Sequence, residues 1–194
     1  MQTKKSLREA IQSQLVSQSP EERKRKSAAI QQKLFGLDAF RKSDCVCFYV
    51  SLPTEVDTSS MIDQSLEMGK RVVVPLSDLE NKELKLYQIE DRREDLRQGT
   101  FGVFEPRPDK TKPVDFKKVD CVVIPGVVFD KEKNRIGRGK GFYDRFLEKL
   151  GPQVFKIGLA FSFQVVQEIP HDHHDVSLNF VLTDEIFERE FLWK

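Results

Sequence analysis

The chain has 194 residues, 39% of them hydrophobic, and 32 Lys plus Arg stand against 31 Asp plus Glu. That length favours one domain over residues 1–194, with enough core to fold alone. The net charge of +1 excludes a generally basic nucleic-acid binder and an acidic-tail protein, so any cationic surface has to be local.

Residues 3–17 predict a helix with Leu7, Ala10, Ile11 and Leu15 on one apolar stripe. Lys4, Lys5 and Arg8 fall in its first turns, where the helix dipole disfavours cations unless an anion is present. Otherwise they form a solvated polar face. Ser19-Pro20-Glu21-Glu22 reads as a capping box with Pro at the first helical position, so a second helix is expected over 20–35, stopping at Gly36. Residues 44–50 (DCVCFYV) predict a buried strand. The loop Ser51-Leu52-Pro53-Thr54 leaves its carboxyl end, and Glu55 and Asp57 precede a helix of about ten residues ending at Gly69.

Residues 71–75 and 84–89 predict two more strands. Strands alternating with helices imply an α/β fold, a three-layer arrangement of a mainly parallel sheet with helices on both faces. A charged stretch, 91–98, then leads to Gly99-Thr100-Phe101-Gly102-Val103-Phe104-Glu105-Pro106. Phe101 and Phe104 could pack in the core or line a ring pocket.

The densest information lies in 119–150. A buried strand over 119–124 meets a turn at Pro125-Gly126 and a short apolar piece ending at Asp130. Gly137, Gly139 and Gly141 alternate with Arg138 and Lys140, and an amphipathic helix starts near Phe142 with Tyr143, Phe146, Leu147 and Leu150 at helical spacing. Residues 131–145 hold six cations (Lys131, Lys133, Arg135, Arg138, Lys140, Arg145) against Glu132 and Asp144. Strand, cationic glycine loop and helix start point to a phosphate-bearing partner. The spacing is neither a P-loop, which needs Gly-Lys-Ser/Thr, nor a dinucleotide fingerprint. In such folds ligands collect beyond the carboxyl ends of the strands, so the loops 51–57 and 125–141 are expected to share one crevice.

Gly151-Pro152 ends the helix, 154–160 predicts a strand, 162–168 a short helical or irregular piece, and 178–182 a last strand. Between them lie His171, Asp172, His173, His174 and Asp175, too close in sequence to converge on one transition metal. The three cysteines, Cys45, Cys47 and Cys121, sit in apolar runs without framework spacing and are expected as reduced thiols. No segment approaches the length of a membrane span and the polar N-terminus lacks a secretory pattern, so a cytoplasmic protein is expected.

Residues 120–147 resemble the signature of the 5-formyltetrahydrofolate cyclo-ligase (5,10-methenyltetrahydrofolate synthetase) family. They carry its Asp, Pro-Gly and Phe-Asp, then Arg135-Ile136-Gly137-Arg138-Gly139-Lys140-Gly141-Phe142-Tyr143-Asp144-Arg145. Lys4, Leu7 and Arg8, Glu55 to Thr58, and the Gly-x-x-Gly-Val-x-Glu-Pro segment extend the likeness over most of the chain. Asn134 stands where the family commonly has Gly, Phe142 where it often has Tyr, and Asn179 where an acid is usual.

The resemblance implies a Rossmann-like domain similar to the ribose-phosphate isomerase and CoA-transferase-like folds. It implies ATP- and Mg2+-dependent closure of 5-formyltetrahydrofolate, free or polyglutamylated, to the methenyl form, by a monomer with no nucleic-acid or membrane partner. Implied for ATP are Lys4, Lys5, Ser6, Leu7 and Arg8 with residues 135–143; for the folate, Leu52, Glu55 or Asp57, Arg138, Gly139, Lys140, Gly141 and Phe142; for the metal, Asp144 and Asp175. Arg138, Lys140 and Tyr143 would be catalytic. The chemistry is coherent. Phosphorylating the formyl oxygen turns it into a leaving group, N10 attacks the same carbon, and the protein need only position and neutralise. The alternatives are a non-catalytic nucleotide or folate binder and a local RNA-binding face, the latter disfavoured by the charge balance.

Overall fold

The computed structural model describes residues 3–99, 102–170 and 176–185. In chain order its first half comprises α1 (Lys4–Ser17), α2 (Pro20–Gly36), α3 (Asp38–Arg41), β1 (Cys45–Cys47), α4 (Ser59–Glu67), β2 (Arg71–Asp78) and β3 (Glu83–Ile89). The second half comprises α5 (Arg92–Asp95), β4 (Leu96–Gln98), β5 (Phe104–Pro106), β6 (Lys112–Val114), β7 (Cys121–Ile124), β8 (Val128–Asp130), β9 (Arg135–Ile136), α6 (Phe142–Glu148), β10 (Phe155–Leu159), β11 (Val165–Val166) and β12 (Phe180–Leu182).

Seven strands form one sheet in the order β12-β10-β7-β1-β2-β3-β6. The pairs from β12 through β2 are parallel, and β3 and β6 add on antiparallel. Strand alternation sorts the core into two layers. Val46, Val72, Val74, Cys121, Val123 and Ile157 face the helices α1, α2 and α4 through Leu7, Ile11, Leu15, Ile30, Leu34, Met61 and Ile62. Cys45, Cys47, Val73, Val122 and Ile124 face Phe146 and Leu147 of α6. The central strands β1 and β7 are therefore apolar on both sides, as a sheet covered twice requires.

The strand expected over 84–89 is real, but it does not run parallel to its neighbour. Only four residues link β2 to β3, Val72 pairs with Ile89 and Asp78 with Glu83, and a link that short can only reverse the chain. Lys82 takes the left-handed turn position, φ 54°. At α2, Ser19 accepts from the Glu22 amide, but the Glu22 carboxylate pairs with Lys26 at 2.9 Å, so only half of the expected capping box forms. A complete one caps α1, between Thr3 and Ser6.

A small three-stranded sheet, β11-β8-β9, carries the signature away from the main sheet. Its hairpin loop, 131–134, is organised by buried Asp130. Oδ1 accepts from the Glu132 and Asn134 amides at 3.0 and 2.9 Å, and Oδ2 from Asn134 Nδ2 at 3.1 Å and the Ile169 amide at 3.2 Å. Lys133, not Asn134, adopts the left-handed conformation, φ 67°. Asn134 instead holds Asp130 and accepts from Ser177 Oγ. Asn179 brackets β10: its Oδ1 accepts from the Lys156 amide and its own amide donates to the Lys156 carbonyl, both at 2.8 Å.

Candidate active site

Successive connections leave β1 and β7 toward opposite sides of the sheet, β1 leading to β2 and β7 to β10. The carboxyl ends of these two neighbours therefore open a crevice. The cleft found there is lined by Tyr49, Leu52 and Glu55 after β1, Pro125 and Gly126 after β7, residues 137–144, and Pro75, Ser77 and Phe104. Gly126 is required for close approach: a Cβ there would lie 2.4 Å from the Phe129 ring.

The loop after β1 is closed on itself. The Glu55 amide donates to the Leu52 carbonyl at 3.0 Å, and the Leu52 amide returns a bond to Glu55 Oε2 at 2.9 Å. Arg23 Nη1 holds the Glu55 carbonyl at 3.3 Å. With one carboxylate oxygen fixed, the other points across the cleft and accepts from Arg138 Nε and Nη2 at 3.2 and 3.0 Å. The two loops are thus bridged by an ion pair whose carboxylate is nearly enclosed and whose guanidinium is half exposed.

Asp57 has a different role. Its Oδ1 accepts from the Ser59 amide at 3.0 Å and Ser51 Oγ at 3.4 Å. It does not line this cleft; it borders a neighbouring groove. Of the two acids left open by the sequence, Glu55 is the one presented.

Three other elements converge on the glycine-rich loop. Arg8 Nε donates to the Gly137 carbonyl at 2.8 Å, so α1 is anchored to the loop. Arg145 Nη2 donates to the Lys140 carbonyl at 3.2 Å and its Nε to the Lys82 carbonyl at 2.8 Å, tying loop, α6 and the β2–β3 turn together. Gly139 and Gly141 have φ of 88° and 70°, values that side-chain-bearing residues rarely adopt. Arg138 and Lys140 are both solvent-exposed.

Behind the loop, Arg135 is buried and donates to Asp144 Oδ1 at 2.6 Å. Its guanidinium stands 5.7 Å from the Tyr143 ring centre. A guanidinium keeps its charge at any accessible pH, so its burial needs this carboxylate. Burial pushes the phenols of Tyr143 and Tyr49 well above their usual value. Neither is a base at neutral pH; Tyr49 donates its hydroxyl to the Val56 carbonyl.

Not every expected ligand reaches the cleft. The Lys5 side chain is exposed and lies 3.9 Å from Glu9; Ser6 is spent in the α1 capping box; Leu7 and Ile136 are core. In the first helix Lys4 and Arg8, one turn apart, share a face, and Arg8 reaches the Gly137 carbonyl while the Leu7 side chain turns into the core. Phe142 and Tyr143 both line the cleft. Phe104 does so as well, with half its surface exposed, so it is not core; Phe101 lies outside the described residues. Two residues escaped sequence reasoning. Glu105 is buried and lines the cleft, within reach of Gly99, and its position in the Glu-Pro segment was a usable signal. Arg145 was counted only as charge, although its spacing from Gly141 placed it back over the loop.

Asp144 borders the cleft with about half its side chain exposed. It fits a hard cation that takes one or two carboxylates and completes its shell with phosphate oxygens and water. Asp175 and the three histidines lie outside the described residues. Among the described residues no three His, Cys, Asp or Glu side chains gather as a metal-holding group. The cysteines are free and buried; burial pushes Cys45 up to about 11 and Cys121 to about 12, which leaves no reactive thiolate.

Residues 1–184 match the model of the 5-formyltetrahydrofolate cyclo-ligase family. A probable 5-formyltetrahydrofolate cyclo-ligase of Schizosaccharomyces pombe is 30% identical over 173 residues, 82% of this chain and 84% of that protein. The solved 5,10-methenyltetrahydrofolate synthetase of Aquifex aeolicus superposes with a TM-score of 0.82 at 33% identity, over 94% of this chain and 90% of that one. That of Mycoplasma pneumoniae superposes at 0.77 and 27% identity, over 95% and 100%.

Proposed function

This chain belongs to the 5-formyltetrahydrofolate cyclo-ligase family, and we propose that it closes 5-formyltetrahydrofolate to 5,10-methenyltetrahydrofolate with ATP and Mg2+, releasing ADP and phosphate. The observation that carries this reading is the Glu55–Arg138 bridge. It sets an oriented carboxylate and a phosphate-binding cation at 3.0 Å on facing walls of one cleft.

The parts divide as follows. A pterin ring offers adjacent N–H donors that match a carboxylate held as Glu55 is, with Leu52 as apolar wall. When Glu55 takes the pterin, Arg138 loses its partner and turns to the phosphates. Lys140 adds charge at the transferring phosphoryl group, and the backbone of Gly139 and Gly141 lets an anion approach closely. Lys4 and Arg8 bring the start of α1 to the same anion. Tyr143, un-ionised and packed edge-on against Phe146, orients the ring system and acts as neither base nor nucleophile. Asp144 would hold Mg2+, which when bound neutralises the phosphate oxygens. Phosphoryl transfer to the formyl oxygen followed by N10 attack needs no protein nucleophile. The free, buried thiols support a reducing, cytoplasmic setting, and the near-zero net charge supports a small-molecule rather than a nucleic-acid partner.

The test is direct. Protein mixed with Mg2+, ATP and 5-formyltetrahydrofolate should develop the methenyl absorbance, and omitting ATP should abolish it. Binding of both ligands without product would instead identify a non-catalytic folate and nucleotide binder.

A further inference from the structure

Two buried hydroxyls sit where their own helices have no use for them. Ser27 opens the buried stripe of α2, with Ile30 and Leu34 following along it. An apolar residue would serve that stripe better. The serine instead accepts from the Asp57 amide at 3.0 Å, 30 residues further along the chain. Thr58 stands at the N-cap of α4 and is fully buried, yet its side chain makes no capping bond. Asp57 takes the Ser59 amide in its place. The Thr58 hydroxyl donates to the Tyr49 carbonyl at 2.8 Å and accepts from the Ser51 amide at 3.2 Å, and the Thr58 amide donates to Ser51 Oγ at 3.3 Å.

These bonds pin both arms of the loop after β1. Thr58 fixes the outgoing arm, 49–51, and Ser27 the returning arm at Asp57. The Tyr49 hydroxyl ties the arms together at the Val56 carbonyl, 2.9 Å away. Between the arms lies the tip, 52–55, where Glu55 closes on Leu52. We infer, resting on the functional reading above, that Ser27 and Thr58 are positioning residues: they hold the Glu55 carboxylate in place for the folate ring before the substrate arrives. Each gives up a locally better use, core packing in one case and a helix cap in the other, as residues do where a site imposes the shape. A carboxylate already in place binds without the entropy cost of being ordered.

The test reads the loop first and turnover second. Thr58→Val removes the hydroxyl and keeps the shape, and Thr58→Ser restores the hydroxyl. Ser27→Ala is the milder second variant, since Ala suits a helix interior, and it carries the same tests if Thr58→Val does not fold. In the unliganded protein, hydrogen exchange at the Leu52 and Glu55 amides should speed up by about tenfold in Thr58→Val and Ser27→Ala, and recover in Thr58→Ser. Unchanged exchange overturns the inference whatever reaction the protein performs. In turnover, KM for 5-formyltetrahydrofolate should rise by about tenfold in both variants, with KM for ATP within about twofold of wild type. An equal rise for both ligands, or a smaller active fraction with both KM values intact, marks a merely structural role and overturns it. The effect runs through Glu55, so adding Thr58→Val to Glu55→Gln should raise the folate KM little further; additive effects overturn it as well. A wild type that turns over nothing sinks the assigned reaction, and the exchange rates still decide whether Ser27 and Thr58 hold Glu55.

Discussion

Two loops of the signature stretch, separated by the two residues of β9, solve opposite problems. The loop 131–134 is built around a buried carboxylate, Asp130, that takes four hydrogen bonds from its own neighbourhood. The loop 137–141 is braced at its edges, by Arg8 at Gly137 and Arg145 at Lys140, while Arg138 and Lys140 stand exposed. The first satisfies its polar groups internally and serves as a frame. The second keeps its cations at the surface, where the proposed reaction needs them. A site needs both, because a cation is useful in transfer only when its backbone is already placed.

The contrast makes opposite predictions for activity and stability. Lys140→Ala should lower kcat by about 10³-fold, as loss of a charge at a transferring phosphoryl group does, with the thermal midpoint nearly unchanged; steady-state kinetics and calorimetry check both. Glu55→Gln keeps the bond to Leu52 but loses the charge, so KM for the folate should rise by about 10- to 100-fold. It also frees Arg138, so nucleotide affinity should hold or improve, and a loss of nucleotide binding would break the assignment. Asp130→Ala inverts the pattern. It strips four donors of their acceptor in a buried setting and should cost about 2–4 kcal/mol in urea unfolding, with activity falling only as the frame loosens. If Lys140→Ala unfolds the protein and Asp130→Ala does not, the division between frame and donor is wrong.

The smallest effect lies away from both loops. Lys156 is buried, and burial lowers its pKa from the usual 10.5. Its charged form is therefore penalised on folding, fully so below the depressed folded value and not at all above 10.5. Lys156→Met should raise the melting temperature at neutral pH by about 1–3 °C, and the gain should shrink as pH climbs through that window. A gain that grows with pH would reverse the sign.

Much of the fold could be read from the chain. Unbroken apolar runs at Cys45–Cys47 and Cys121–Ile124 reported a sheet covered on both faces, and helical periodicity placed Leu7, Ile11 and Leu15 inward. The mainly parallel sheet carries two antiparallel edge strands, and for β3 the absence of helical residues between Ser77 and Leu84 carried that information. At the site, the signature and the first helix were legible as chemistry, and the structure places Arg8 against Gly137.

What the sequence determined by itself was the family, the two-faced sheet and the identity of the cationic loop, because these rest on periods and motifs that local chain geometry enforces. Only the tertiary structure decided that Glu55 rather than Asp57 faces the cleft, that Lys5, Ser6 and Leu7 do not, and that Arg135 is spent on Asp144. Loops have no period, so the direction of a loop side chain follows from partners distant in sequence: Arg138 lies 83 residues from Glu55. Folding alone makes them neighbours.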